Sequence, residues 1–97
     1  MTFDELLASV ANDAAPPAGL SAPLRALWFA KRGQWDEAHE VVNDLPSAMG
    51  SWIHAHLHRI EGDLSNASYW YTRAGRRALP HADGLEDEWT ELVQANT

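Results

Sequence analysis

The strongest constraint on this chain is a six-residue pattern that occurs twice. Gly33-Gln34-Trp35-Asp36-Glu37-Ala38 aligns with Gly62-Asp63-Leu64-Ser65-Asn66-Ala67 at an offset of 29 residues, on the glycine, the large apolar residue and the alanine. Each position has a physical job. Glycine takes the left-handed conformation that ends a helix. The polar residues after it start the next helix, and a small alanine lets paired helices approach closely. The spacing therefore predicts two helix-turn-helix units with turns at Gly33 and Gly62.

The flanking sequence supplies the helix boundaries. Thr2 followed by Glu5 is a capping-box pattern, and Phe3, Leu6, Leu7 and Val10 recur at helical spacing, so a short helix is expected over 3–11. Residues 12–22 hold Pro16-Pro17 and Gly19 and read as a linker. Ser21-Ala22-Pro23 starts the next helix, with proline in the first turn. Helices follow over Leu24–Arg32, Trp35–Asn43, Ser47–Glu61 and Ser65 to about Arg77, so that 24–77 holds the two hairpins. Pro46 and Pro80 act as breakers, His81–Gly84 is a turn, and Leu85, Trp89, Leu92 and Val93 mark a last helix over 85–95. The whole of 1–97 is expected to be one all-α domain.

One segment carries the opposite signal. Trp52-Ile53-His54-Ala55-His56-Leu57-His58 alternates, as a strand does, and would place three histidines on one face. No other segment offers a partner strand, and a lone strand leaves its backbone groups unpaired. Read as a helix, the segment puts Ile53, Leu57, Ile60 and Leu64 on an apolar stripe, His54, His58 and Glu61 on one flank, and Trp52, His56 and Arg59 on the other.

On these residues the sequence resembles the tetratricopeptide family. Phe29-Ala30-Lys31-Arg32-Gly33-Gln34-Trp35-Asp36-Glu37-Ala38 looks like that repeat's central turn, and Gly62, Ala67, Ala74 and Pro80 resemble its small and breaking positions. The likeness covers roughly 22–80. It implies two antiparallel repeats with the helices over 3–11 and 85–95 as flanking caps, and a concave groove faced by Trp52, His56 and Arg59 as partner-binding residues. The alternative is that a terminal helix covers these three side chains. The sequence departs from the family in its shorter repeat, in the early Pro46, and in placing His54 and His58 where leucine and an aromatic are usual. The run from Trp52 to Gly75 also resembles a group of short bacterial proteins with no assigned activity, which implies no function.

Composition narrows the function classes. The chain carries a net charge of −7, which argues against nucleic acid as a partner. It has no cysteine, so disulfides, thiolate metal sites and thiol catalysis are excluded. No stretch is apolar over the ~18 residues of a membrane span, and the start lacks a signal-peptide pattern, so a cytoplasmic protein is expected. Arg73, Arg76 and Arg77 precede Asp83, Glu86, Asp87, Glu88 and Glu91, a distribution that reads as helix-end capping. There is no P-loop, nucleophile elbow or dinucleotide fingerprint. No catalytic residue or cofactor is assigned.

Two readings of function remain. The first is a protein-interaction or assembly module, with a protein partner or a homodimer, because two repeats fall short of the three usually needed for stability. The second is a small-molecule or metal-binding domain. Burying His54 and His58 costs free energy unless each ring finds partners, so a polar pocket is expected, lined by His54, His58, Glu61 and Tyr69 or Tyr71. His54 and His58 stand one turn apart as a metal half-site, for which His39 is an available third ligand.

Overall fold

A computed structural model describes every residue except Pro80 and Ala82. Among the described residues there are six helices: α1 Phe3–Asn12, α2 Ala22–Arg32, α3 Trp35–Asn43, α4 Ala48–Ile60, α5 Leu64–Arg73 and α6 Leu85–Ala95. Among the described residues there is no strand, and Trp52–His58 lies within α4. No helix among them is long and apolar enough to cross a membrane.

The two expected turns are built alike. Gly33 and Gly62 both have φ +84°. Gly33 N–H bonds Ala30 O at 3.2 Å and Gln34 N–H bonds Phe29 O at 2.9 Å. Gly62 N–H bonds Arg59 O at 3.1 Å and Asp63 N–H bonds His58 O at 2.9 Å. This is the Schellman closure, repeated in the same register. It folds α2 back on α3 and α4 back on α5, and α3 packs on α4 to join the hairpins. Ala38 and Ala67 are both fully buried, as close helix approach requires.

The other starts follow their caps. Thr2 and Glu5 form the capping box of α1, and Ser21 and Ser47 accept from the first turns of α2 and α4. Asp63 caps α5 through Asn66 N–H at 3.3 Å, so the helix begins at Leu64, one residue before the expected Ser65. Helix α5 ends at Arg73, short of the expected Arg77, because Gly75 at φ +73° closes it: Arg76 N–H bonds Tyr71 O at 3.0 Å. The stop expected at Pro80 and the Ala82 part of the expected turn lie outside the described residues.

Helix α4 sits at the centre, buried without a break from Gly50 to Arg59. Its stripe is shorter than expected. Ile53 and Leu57 are fully buried, Ile60 is 40% exposed at the helix end, and Leu64 already belongs to α5. Four indole N–H groups tie helices together: Trp28 to Ser9 Oγ, Trp35 to Leu57 O, Trp52 to Glu88 Oε2 and Trp89 to Leu27 O. A large apolar ring with one obligatory donor fixes both packing and direction.

Candidate functional site

A helix buried on every side is normally apolar. Helix α4 instead buries His54, His56, His58 and Arg59. Its 100° steps send these side chains to two separate clusters, one under α6 and one between α3 and α5.

The cluster under α6 centres on Glu88. Its Oε1 accepts from Arg59 Nη1 at 2.7 Å and pairs with His56 Nδ1 at 2.6 Å. Its Oε2 accepts from Trp52 Nε1 at 3.2 Å and from the Tyr71 hydroxyl at 2.5 Å. Arg59 has no exposed surface; it also donates through Nε to His81 O at 3.0 Å and through Nη2 to Asp83 O. Burial pushes the Glu88 carboxyl up. The hydrogen bonds from His56 and Tyr71, the charge of His56 and the Trp52 bond outweigh it and hold the group at about 2. The same burial, with the Glu88 bond and charge, pushes the Tyr71 hydroxyl above its usual range. Trp52, His56 and Arg59, the expected partner-binding flank, are thus covered by the chain's own last helix. Glu88, expected with its acidic neighbours to cap the helix dipole, is buried instead. The missed signal is its spacing: Leu85, Glu88 and Leu92 fall at i, i+3 and i+7, on the helix's apolar stripe.

The second cluster holds three imidazoles. His39 comes from α3, and His54 and His58 come from α4 one turn apart. His54 and His58 are buried at 3% and 5% exposure, and His39 is half-buried at the edge. One ring nitrogen of each residue lies within 4.8 Å of the other two. The Nε2 atoms of His39 and His54 are 3.0 Å apart. His58 Nδ1 is 2.6 Å from Glu61 Oε1, and His39 Nδ1 is 3.3 Å from Asn43 Nδ2. Indole walls hold the rings in place: Trp35 stacks on His39 at 4.8 Å between centroids, and Trp70 stacks on His54 at 3.8 Å. Burial, then the nearby charges of His39 and His58, pushes His54 down to about 4. Burial and His58 lower His39 as well, against the opposing carboxylates of Glu61 and Asp36.

This arrangement corrects the expected pocket lining. Neither Tyr69 nor Tyr71 enters the cluster. Tyr69 is 54% exposed and accepts from Arg73, whereas Tyr71 belongs to the Glu88 cluster. Three consecutive helical residues point three ways, and the one aimed at His54 is Trp70. His58 and Glu61 do come together, and His39 supplies the third imidazole.

The donor set suits a metal ion. Tetrahedral zinc with Zn–N of about 2.0–2.1 Å places its nitrogens roughly 3.3 Å apart, close to the His39–His54 separation. A carboxylate on the far nitrogen of a ligating histidine fixes its tautomer and leaves the other nitrogen's lone pair free. Glu61 stands in that relation to His58. Comparison with family models, curated proteins and solved structures finds no match to this chain.

Proposed function

We propose that this protein binds a divalent first-row transition metal through His39, His54 and His58. The observation that carries the reading is the proximity of three imidazole nitrogens, all within 4.8 Å of one another. Neutral imidazoles suit zinc, copper, nickel and iron, whereas magnesium and calcium prefer oxygen. Three protein ligands leave a fourth position for water or another small ligand. The reading also accounts for His54 and His58 standing where a plain repeat core carries apolar residues.

The test is calorimetric titration of untagged protein with Zn²⁺. One ion per chain is expected. His39→Ala should keep the helical circular dichroism spectrum and lose at least the roughly 10–100-fold in affinity that even a second-shell change costs. The paired substitution His54→Leu with His58→Phe should fold as stably as the parent and take no metal. Absence of Zn²⁺ binding by the parent, or equal binding by His39→Ala, would overturn the proposal. Unfolding of the pair would show that the rings serve packing.

A second reading, a two-repeat assembly module that pairs with another copy of itself, is favoured by one surface. A groove of about 450 Å³ runs between α2 and α3, with half-buried Ala22, Phe29, Val41 and Leu45 on its floor. Its lining comes from that hairpin and the turn after it alone. The matched closures at Gly33 and Gly62 support the repeat reading, and a repeat array buries such faces against a further hairpin. A second copy provides one.

A further inference from the structure

The turn after α4 carries a second set of metal-ligating groups, and it shares a residue with the first. Ligand atoms of His58, Glu61 and Asp63 lie within 4.8 Å of one another. Glu61 is the C-cap of α4 and Asp63 the N-cap of α5, with only Gly62 between them. The left-handed Gly62 and the Asp63 N–H bond to His58 O at 2.9 Å turn the chain back so that the Asp63 carboxylate lies within 4.8 Å of the His58 ring nitrogen. Both carboxylates are exposed, while His58 is buried. Asp63 Oδ1 accepts from Asn66 N–H at 3.3 Å and from the Ser65 hydroxyl at 3.5 Å.

We propose that Glu61, Asp63 and His58 form an outer cation site that loads the inner one: a hydrated transition-metal ion is captured on the two carboxylates and passed across the His58 ring to His39 and His54. This rests on the metal-binding reading of the inner imidazoles. The geometry singles out His58 as the link. Its Nδ1 edge faces Glu61, and its Nε2 is the nitrogen left for the inner set. The two nitrogens flank a single ring carbon. A neutral imidazole carries one proton, so the ion and that proton exchange places. While the ion is on the outer set the proton sits on Nε2; once the ion is inside, the proton is on Nδ1 and bonds Glu61 again. His58 neither gains nor loses a proton overall. The chemistry of the two sets fits the order. Exposed carboxylate oxygens are hard ligands that meet a hydrated cation at the surface, and they lie on a chain of net charge −7. Imidazoles hold first-row ions more selectively.

The test separates loading from holding. Asp63→Asn keeps the α5 cap, because asparagine caps as well as aspartate does. Stopped-flow absorbance with Co²⁺ measures both rates for the inner site. A loading site speeds entry and exit alike. The variant should therefore lose about tenfold in association rate, the low end of what a charged cleft contributes, and equally in dissociation rate, with Kd unchanged. Unchanged rates overturn the proposal. A slower association with unchanged dissociation also overturns it, because that is long-range attraction alone. Faster dissociation would place Asp63 in the inner site and overturn it too. The outer site is read directly with Mn²⁺, which favours oxygen ligands. The His39→Ala protein should still remove Mn²⁺ from the free electron paramagnetic resonance signal, and addition of Asp63→Asn should abolish that uptake. Failure of the inner site appears separately, as a parent protein with no Co²⁺ absorbance band. A Co²⁺ band with rates insensitive to Asp63 keeps the inner site and removes the loading site.

Discussion

Glu88→Gln tests whether one carboxylate holds α6 to the rest of the fold. The substitution keeps the shape of the side chain and removes its charge. In the parent, four side chains from α4 and α5 point hydrogen-bonding atoms at this carboxylate. A glutamine offers one oxygen in place of two and turns an NH₂ toward groups that are themselves donors. Arg59, with no exposed surface, then keeps its charge without an anion. Removing one partner of a buried ion pair costs about 3–5 kcal/mol. The acid range gives a second route to the magnitude. The Glu88 carboxyl titrates at about 2 in the fold against an ordinary 4.5, a difference worth about 3 kcal/mol at neutral pH. Because the folded value is depressed, that stability is full above pH 4.5 and is lost as pH falls from there toward 2. A domain of this length has only about 5–15 kcal/mol in total, and each kcal/mol moves its Tm by about 4–8 °C. Urea melts followed by circular dichroism at pH 7, and a pH series below 5, check both figures. The variant should be destabilised at pH 7 and should lack this carboxyl's share of the acid loss. A variant within about 1 kcal/mol of the parent at pH 7, or one with the same acid slope, would refute the assignment of Glu88 as the latch.

Two further outcomes bear on the repeat. Ala38→Leu and Ala67→Leu each overpack a fully buried contact and should cost about 1–3 kcal/mol in thermal melts; parent-like melts for both would break the alignment of the two hairpins. Pairing of two chains predicts a scattering mass twice 10.8 kDa at micromolar concentration, reduced to one chain by Val41→Glu in the α2–α3 groove; a parent of 10.8 kDa would remove self-association.

The elements were legible where capping chemistry is local. Thr2, Ser21 and Ser47 fix helix starts through their own hydroxyls, and Gly33 and Gly62 fix the ends before them through φ. The end of α5 differs from the expected one because Gly75 closes the helix before the chain reaches the more conspicuous breaker Pro80. The site was half legible for a different reason. Helical spacing alone puts His54, His58 and Glu61 on one flank. The choice among Tyr69, Trp70 and Tyr71 depends on how α5 is rotated against α4, a tertiary quantity that no local pattern encodes. His39 lies on another hairpin, and only folding brings its Nε2 to 3.0 Å from that of His54. The role of Glu88 was hidden by its neighbours, since Glu86 and Asp87 beside it look like the same first-turn acids.

The two polar clusters of α4 differ in what would complete them. Around Glu88 one ionised acceptor meets complementary donors from Trp52, Arg59 and Tyr71, with His56 against the same carboxylate. Such a set is complete in itself, and a guest would have to displace one of its members. The imidazoles pair like with like. A neutral ring has one donor and one acceptor, so the 3.0 Å contact between His39 Nε2 and His54 Nε2 needs a proton on one of two similar nitrogens. Under the proposed metal reading a cation would replace that proton between His39 and His54, with His58 within 4.8 Å of both and Glu61 bonded to its Nδ1. Leucine would fill the same volume with no polar group to satisfy. What the imidazoles add chemically to their stacking on Trp35 and Trp70 is one ring nitrogen from each of three residues within 4.8 Å of the other two.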